Sequence, residues 1–221
     1  MIYRERDLFI YGSGATGREI LDIVRRIHLQ TRIWESIYFV DDISDASMIS
    51  GILILRFRDM IDHHSPFECV VAHGEPYVRS KLLSKLRGHD VCNATVIDPT
   101  AIISPFASIG AGCIVGPGSF VSCGASLGDN ALIEINCIVG HDVRVGCHTV
   151  ISSGTALGGG SQIGQVSFIG MNATVRERVC IGDRSIIGMA AAVFNDIPDD
   201  VIALGNLARV MRKNEEHRVF K

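Results

Sequence analysis

Small and aliphatic residues recur with a period of six through the second half of the chain. From Ala94 to Asn195 the sequence divides into seventeen hexads without an insertion, and the fourth position is Ile, Val or Leu in every hexad. The second position is Ala, Ser, Thr or Cys in fifteen hexads, and the fifth is Gly in ten. Since side chains alternate along a strand, positions two and four share one inward face. The pattern predicts a parallel β-helix of three hexads, or about eighteen residues, per coil.

A different pattern fills the first half. An apolar run at residues 8–11 meets the glycine loop Gly-Ser-Gly-Ala-Thr-Gly at 12–17, and apolar residues then follow at helical spacing from 20 to 27. Further apolar runs stand at 37–40, 52–55 and 69–72, with a helical pattern at 77–86. Strand, glycine loop and helix in this order are typical of a nucleotide-binding unit. We therefore predict an α/β N-terminal Rossmann-like domain over residues 1–90, an all-β helix over 91–196, and a C-terminal cap and tail over 197–221.

Composition and charge exclude several classes of function. The chain has 221 residues, with 21 Lys and Arg against 24 Asp and Glu, so a nucleic-acid partner is not expected. No apolar run reaches the roughly 18 residues of a membrane helix, and residues 1–7 lack the apolar stretch of a secretory signal. Seven cysteines are scattered without a CxxC motif, which disfavours a zinc ribbon, a disulfide framework or another metal site. We expect a cytoplasmic protein without membrane insertion.

The glycine loop is a candidate phosphate site. Backbone N–H groups at a helix N-terminus hold phosphates, and Asp41 and Asp42 follow the second predicted strand, where ribose or base would lie. The alternative interpretations are a tight turn without a ligand for the glycine loop and a solvated strand end for Asp41 and Asp42. The motif also does not separate NAD from a nucleotide sugar. Because the domain lacks the second half that a dinucleotide uses, a single nucleotide diphosphate is favoured.

Candidate acyl-transfer chemistry lies within the repeat. His141 occupies the sixth position of its hexad, an outward corner, and Asp142 follows it as a partner for one imidazole nitrogen. Gly159 stands eighteen residues later, one coil away. A base beside a bare N–H suits acyl transfer, since the N–H stabilises the developing oxyanion. The alternative is a surface histidine on a trimer face.

These motifs together resemble one branch of the hexapeptide-repeat acetyltransferases. The matching segments are residues 11–17, Phe-Val-Asp-Asp at 39–42, Gly74 with Arg79, the hexads, Val-Gly-His-Asp at 139–142 and Gly-Asn-Leu-Ala-Arg at 205–209. The branch resembled has a Rossmann-like N-terminal domain and acetylates nucleotide-linked 4-amino-4,6-dideoxy sugars; sialic acid O-acetyltransferases are related to it. The resemblance implies a left-handed β-helix, a homotrimer with active sites between adjacent β-helices, acetyl-CoA as donor, and His141 as general base with Asp142.

The resemblance also implies where the ligands lie. Gly159, next to Gly158, would face the thioester of acetyl-CoA. The nucleotide sugar would contact Gly12, Ser13, Gly14, Ala15, Thr16, Gly17, Asp41, Asp42, Gly74 and Glu134. We add His148, Arg176 and Arg209 as candidate contacts of the cofactor, although either arginine is equally explained as a solvated side chain.

Several positions depart from the family pattern. Gly140 stands where an acidic residue is common, Val150 and Glu134 where histidine and asparagine are common, and Leu207 and Thr16 where proline and histidine are common. The predicted contacts with the sugar therefore differ from the family pattern. The predicted base, His141, and the glycines expected to face acetyl-CoA, Gly158 and Gly159, are present.

The function predicted is transfer of an acetyl group to the amino group of a nucleotide-linked sugar in bacterial surface-glycan biosynthesis. Two alternatives stay open. One is an O-acetyltransferase of the sialic acid type, which would use the same base, and the other is a non-catalytic trimer that senses a nucleotide.

Overall fold

The computed structural model describes residues 6–220. The charged N-terminal segment that argues against a secretory signal lies mostly outside these residues, at positions 1–5. Among residues 6–220, no helix has the length and apolar character needed to cross a membrane.

The N-terminal domain is a six-stranded sheet with helices. Its elements are β1 (Asp7–Tyr11), α1 (Ala15–Gln30), β2 (Ile37–Val40), β3 (Met48–Ile49), β4 (Ile52–Leu55), α2 (Phe57–Ile61), β5 (Phe67–Val71), α3 (Pro76–Arg87) and β6 (Cys92–Asn93). The strand order is β3-β4-β2-β1-β5-β6, and all neighbours are parallel except β3 and β4. The four predicted strands and two predicted helices are confirmed. The short elements β3, α2 and β6 were not predicted.

Two-residue strands form the β-helix, one in each hexad. In chain order, β7 to β23 are Val96–Ile97, Ile102–Ile103, Ser108–Ile109, Ile114–Val115, Phe120–Val121, Ser126–Leu127, Leu132–Ile133, Ile138–Val139, Arg144–Val145, Val150–Ile151, Ala156–Leu157, Gln162–Ile163, Phe168–Ile169, Thr174–Val175, Cys180–Ile181, Ile186–Ile187 and Ala192–Val193. From β7 to β20, each strand pairs in parallel with the strand three places later in the chain, so that Ile138 lies opposite Ala156 and Val139 opposite Leu157. This register confirms the coil of three hexads. The predicted fold class, a Rossmann-like domain followed by a left-handed β-helix, is confirmed.

The interior of the β-helix is filled by the second and fourth hexad positions. Cys137, Val139, Val143 and Val145 illustrate the pattern, and all are buried in one continuous core. Small and aliphatic side chains fill the narrow interior, which explains why the chain needs few aromatic residues.

The third hexad position points outward and distinguishes three faces. On the first, which we call the covered face, the outward residues are apolar and buried, and they form one hydrophobic cluster with Ile20, Ile23 and Val24 of α1. The outward residues of this face are Val96, Ile114, Leu132, Val150, Phe168 and Ile186. On the second, the apolar face, Ile102 is 63%, Phe120 40% and Ile138 52% exposed. On the third, the polar face, the outward residues are Ser108, Ser126, Arg144, Gln162 and Cys180. The single chain therefore leaves one apolar face uncovered.

The C-terminal segment returns to the N-terminal domain. Strand β24 (Val201–Leu204) extends the sheet of the covered face, and β25 (Arg209–Lys213) pairs with it antiparallel. The backbone N–H groups of Val219 and Phe220 then donate to the carboxylate of Glu75, at 3.0 and 3.2 Å. The tail and α1 thus cover successive parts of the same face.

Candidate active site

His141 and Asp142 lie at the corner between the apolar and polar faces. The imidazole Nδ1 is 2.9 Å from Asp142 Oδ2, and both side chains are exposed. Asp142 has a φ of 59°, in the left-handed region, and its N–H donates to the carbonyl of Cys123 one coil back. With Nδ1–H donating to the carboxylate, Nε2 presents its lone pair as a base.

Gly159 lies directly beside this imidazole. A Cβ added at Gly159 would be 2.6 Å from Cε1 and 2.9 Å from Cδ2 of His141, and closest of all to Nε2. Only glycine leaves room for the ring in this position. Among residues 6–220 no acceptor pairs with the Gly159 N–H, so this donor is available beside the imidazole. The pair has the arrangement that acyl transfer needs.

The corner continues along the β-helix beyond Gly159. A Cβ on Gly158 would be 2.8 Å from the carbonyl oxygen of Val175 in the next coil, so glycine is required there for coil stacking. Arg176 and Arg178 lie in that next coil, and both are exposed. Arg178 was not among the candidate contacts of the cofactor that the sequence predicted. Its position thirty-six residues, or two coils, after Asp142 is the signal that places it at the same corner of the β-helix.

Arg209 lies in β25, in the sheet of the covered face, and is exposed. The structure describes no contact that assigns it to a cofactor, so its predicted role stays a prediction.

His148 lies apart from His141. It lies at the corner between the polar and covered faces, and not at the corner of His141. Its Nδ1 is 3.0 Å from the Asn130 side-chain nitrogen, and Asn130 Oδ1 accepts a hydrogen bond from Arg79 at 2.7 Å. Burial, followed by the charge of Arg79, lowers the pKa of His148. His148 therefore lies at the junction of the two domains, and its predicted contact with the cofactor stays a prediction.

The glycine loop opens the N-terminus of α1 to a ligand. Gly12 has a φ of 121°, which glycine tolerates, and Gly17 packs against the Gly12 carbonyl, where a side chain would collide. Gly14 is the N-cap residue and makes no side-chain cap, and a Cβ there would meet nothing within 4 Å. Ala15 is exposed and Thr16 is half-buried. Within residues 6–220 the N–H groups of Ala15, Thr16 and Gly17 have no acceptor, so the first turn keeps these donors available.

The paired acids are already engaged by the protein. Asp41 accepts hydrogen bonds from Ser13 Oγ at 2.6 Å and from the N–H groups of Ser13, Ile43 and Ser44. Burial raises the pKa of Asp41, but these bonds outweigh it and bring the pKa down to about 2. Asp42 accepts from Lys85 at 2.8 Å. Both carboxylates hold the glycine loop and its surroundings in place, and a direct contact with ribose or base stays a prediction.

A cavity of about 410 Å³ lies between α1 and the β-helix. Thr16 and Glu19 line it from α1, and Glu134 and Ser153 from the β-helix. A second cavity of about 610 Å³ runs beneath the C-terminal tail, and Glu134 and Met171 line both. Gly74 stands near this region, since a Cβ there would be 3.5 Å from Thr16 Oγ1. Glu19 was not predicted, because only the docking of the two domains brings it to this cavity.

No group of three or more His, Cys, Asp or Glu side chains suited to a metal ion occurs within residues 6–220.

Comparison with known proteins gives the same picture. Residues 7–86 match the family model of the PglD N-terminal domain. The acetyltransferase domain of PglB from Neisseria gonorrhoeae FA1090, solved with acetyl coenzyme A, is 26% identical over 94% of this chain and 100% of its own, with a TM-score of 0.88. PerB from Caulobacter crescentus, solved with CoA and GDP-perosamine, is 27% identical over 93% of this chain and 97% of its own, with a TM-score of 0.86. WeeI from Acinetobacter baumannii AYE is 25% identical over 93% of this chain and 100% of its own, with a TM-score of 0.86. No curated protein matches.

The chain therefore has the fold and the domain order of the hexapeptide-repeat sugar acetyltransferases, and the resemblance predicted from the sequence is confirmed. Its residues 7–86 resemble the PglD N-terminal domain, and the likeness to these enzymes supports an acetyl-CoA-dependent acyltransferase.

Proposed function

We propose that this protein transfers the acetyl group of acetyl-CoA to the amino group of a nucleotide-linked 4-amino-4,6-dideoxy sugar, in the cytoplasm, for bacterial surface-glycan synthesis. The observation that carries the proposal is the His141 imidazole, oriented by Asp142 at 2.9 Å and lying over the bare backbone of Gly159. The proposal is supported by PerB, a protein of similar fold whose structure holds CoA and GDP-perosamine.

The reaction follows from these groups. His141 Nε2 accepts a proton from the acceptor amine as its nitrogen attacks the thioester carbon. The carbonyl oxygen gains negative charge, which the Gly159 N–H stabilises. The C–S bond then breaks, and the CoA sulfur leaves with the proton that His141 holds. An amine and a thioester become an amide and a thiol.

In this proposal acetyl-CoA, the acetyl donor, lies along the corner of the β-helix that His141 occupies. Gly158 and Gly159 leave an open backbone shelf, and the exposed Arg176 and Arg178 lie one coil further along. Two guanidinium groups next to the shelf suit the phosphates of CoA.

The acceptor lies at the other edge of the apolar face. The glycine loop would take the diphosphate, and the cavity of about 410 Å³ beside Thr16 and Glu134 would take the sugar. Glu134 precedes the strand Ile138–Val139 and His141 follows it, so within one chain the cavity and the base lie at opposite edges of that face.

A homotrimer resolves this separation. If three copies turn their apolar faces toward a threefold axis, one edge of each face meets the opposite edge of its neighbour's. The cavity of one protomer then lies beside His141 of the next. The exposure of Ile102, Phe120 and Ile138 supports this packing, because exposed apolar patches commonly mark interfaces.

The test is thiol release from acetyl-CoA with GDP-, UDP- and dTDP-linked 4-amino-4,6-dideoxy sugars, with mass spectrometry of the product. We expect an N-acetylated sugar, and a fall in kcat of roughly 10²- to 10⁴-fold in His141→Ala. Turnover only on sugar hydroxyls would replace the amine by an O-acetyl acceptor. Nucleotide-sugar binding without thiol release from any acceptor would instead favour the sensing trimer.

A further inference from the structure

We propose that Glu134 makes the enzyme select an amine over a hydroxyl, by binding the acceptor in its protonated, ammonium form. This inference rests on the proposed function and narrows its acceptor class. Glu134 is then a specificity-determining residue of the acceptor site, and His141 remains the base.

Glu134 is held firmly, with one oxygen left over. Its Oε2 accepts hydrogen bonds from Ser152 Oγ at 2.8 Å, from Ser153 N at 3.0 Å and from Ser153 Oγ at 3.0 Å. Its Oε1 accepts none within residues 6–220, and the side chain lines the cavity between α1 and the β-helix. A fixed carboxylate with a free oxygen in a cavity is a ready acceptor for a donor group of a ligand.

The groups around Glu134 give the cavity a negative character. Glu19 and Asp22 line it from α1, and Arg26 is the one cation in its lining. The Arg26 guanidinium, however, is paired with the buried Asp98 at 2.6 Å. Burial, followed by the charge of Glu134, raises the pKa of Glu19, so the two carboxylates act on each other across the cavity. An added cation would relieve this repulsion.

Groups beneath the C-terminal tail also face Glu134, across the second cavity. Arg212, Glu216 and Arg218 line that cavity, where Glu134 is at its boundary. The native protein and the Glu134 variant described below share these side chains, so a difference between the two proteins at a given pH reports Glu134 and the acceptor rather than these groups.

An ammonium group distinguishes the two acceptor classes. Near neutral pH an alkyl amine is largely protonated and cationic, whereas a sugar hydroxyl is neutral. A hydrogen bond from an ammonium to a carboxylate is stronger than one from a neutral hydroxyl. The bound ammonium gives one proton to water before its nitrogen attacks, and His141 takes the second as the nitrogen, again positively charged, bonds to the thioester carbon. Glu134 therefore stabilises the bound acceptor and the transition state alike, which favours binding rather than the chemical step. The proposal therefore predicts an effect on KM and little on kcat.

The experiment compares the native protein with Glu134→Gln, which is isosteric and keeps an oxygen for Ser152 and Ser153. The probes are the nucleotide-linked 4-amino-4,6-dideoxy sugar of the panel above that the native protein turns over best, and the same compound with a hydroxyl at that carbon. Steady-state constants are measured from near-neutral pH to above the pKa of the probe's amine, and calorimetry measures binding directly. Glu215→Gln, an exposed carboxylate on the tail, is the matched control.

At neutral pH we expect Glu134→Gln to raise the KM and Kd for the amine by roughly ten- to a hundredfold. The KM for acetyl-CoA, the kcat and the thermal midpoint stay near native values. The difference from native shrinks above the amine pKa, and the hydroxyl compound binds the two proteins equally.

An unchanged KM and Kd for the amine at neutral pH would overturn the role of Glu134 while acetyl transfer still stands. An equal loss for the amine and the hydroxyl compound would overturn it too. If the native protein acetylates neither compound, the proposed function fails, and calorimetry with GDP-perosamine still decides whether Glu134 favours an amine.

Discussion

Replacing Gly159 by alanine tests whether the His141 imidazole works where the structure places it. Ordinary contact begins at 3.4 Å, whereas the new Cβ would be 2.6 Å from Cε1 of the ring, so the ring must retreat by about 0.8 Å or more. A displacement of about 1 Å in a catalytic group costs roughly a hundredfold in rate. We therefore expect kcat/KM to fall about a hundredfold in Gly159→Ala.

We expect this substitution to leave the fold nearly unchanged. Gly159 is not among the glycines with positive φ, and the His141 side chain that must move is 66% exposed. We expect the free energy of unfolding to change by less than about 1 kcal/mol. Gly158→Ala is the matched control, since its Cβ would be 2.8 Å from the backbone oxygen of Val175, which cannot retreat. That variant should lose about 1–3 kcal/mol of stability.

The assays are thiol release from acetyl-CoA and chemical denaturation, run on both variants. Near-native activity in Gly159→Ala would refute the placement of the base over this backbone. A loss of stability in Gly159→Ala as large as that in Gly158→Ala would show that the glycine serves packing instead.

Four further substitutions test separate parts of the account. Asp142→Asn keeps a residue type that tolerates the φ of 59° but removes the charge that orients the base, so kcat should fall about tenfold or more at unchanged thermal midpoint. Gly14→Asp places a favourable N-cap at α1, where a Cβ meets nothing within 4 Å, so the free energy of unfolding should rise by a few tenths of a kcal/mol. Its negative charge should raise the KM for the acceptor about tenfold or more. Ile138→Asp should turn a trimer into monomers in light scattering and abolish turnover without changing the circular dichroism; a variant that stays trimeric and active would place the interface elsewhere. The lowered pKa of His148 means that the unfolded chain binds more protons, so stability should fall as pH drops below about 6.5, and His148→Asn should lessen that fall in denaturation at pH 7.5 and 5.5.

The repeat made the β-helix predictable, because a period of six without insertions fixes both the strands and the coil. His141 and Gly159 were found for the same reason, since residues eighteen apart share a corner. His148 stands only seven residues after His141 and therefore lies at the next corner, so its predicted contact with the cofactor stays a prediction. Counting hexads in threes would have separated the two.

Features that depend on tertiary packing, or on very short elements, could not be predicted. The engagement of Asp41 depends on the rotamer of Ser13, which no periodicity specifies. Glu19 reaches the cavity only because α1 docks on the covered face. The strands β3 and β6 are two residues long, too short to show a pattern of their own.

The central claim is that His141 of one protomer serves the acceptor bound by its neighbour. Its most direct test is complementation between two defective parents, His141→Ala and Gly14→Asp, coexpressed so that their chains mix in the same trimers. When the chains mix at random and equally, about a quarter of the sites pair an intact His141 with an intact glycine loop. At an acceptor concentration well below the native KM, where the Gly14→Asp parent keeps about a tenth of the native rate or less, we predict acetyl transfer to the nucleotide-linked amino sugar at about a quarter of the native rate. Activity no higher than that of the two parents, in trimers shown to contain both chains, would contradict a site shared between protomers.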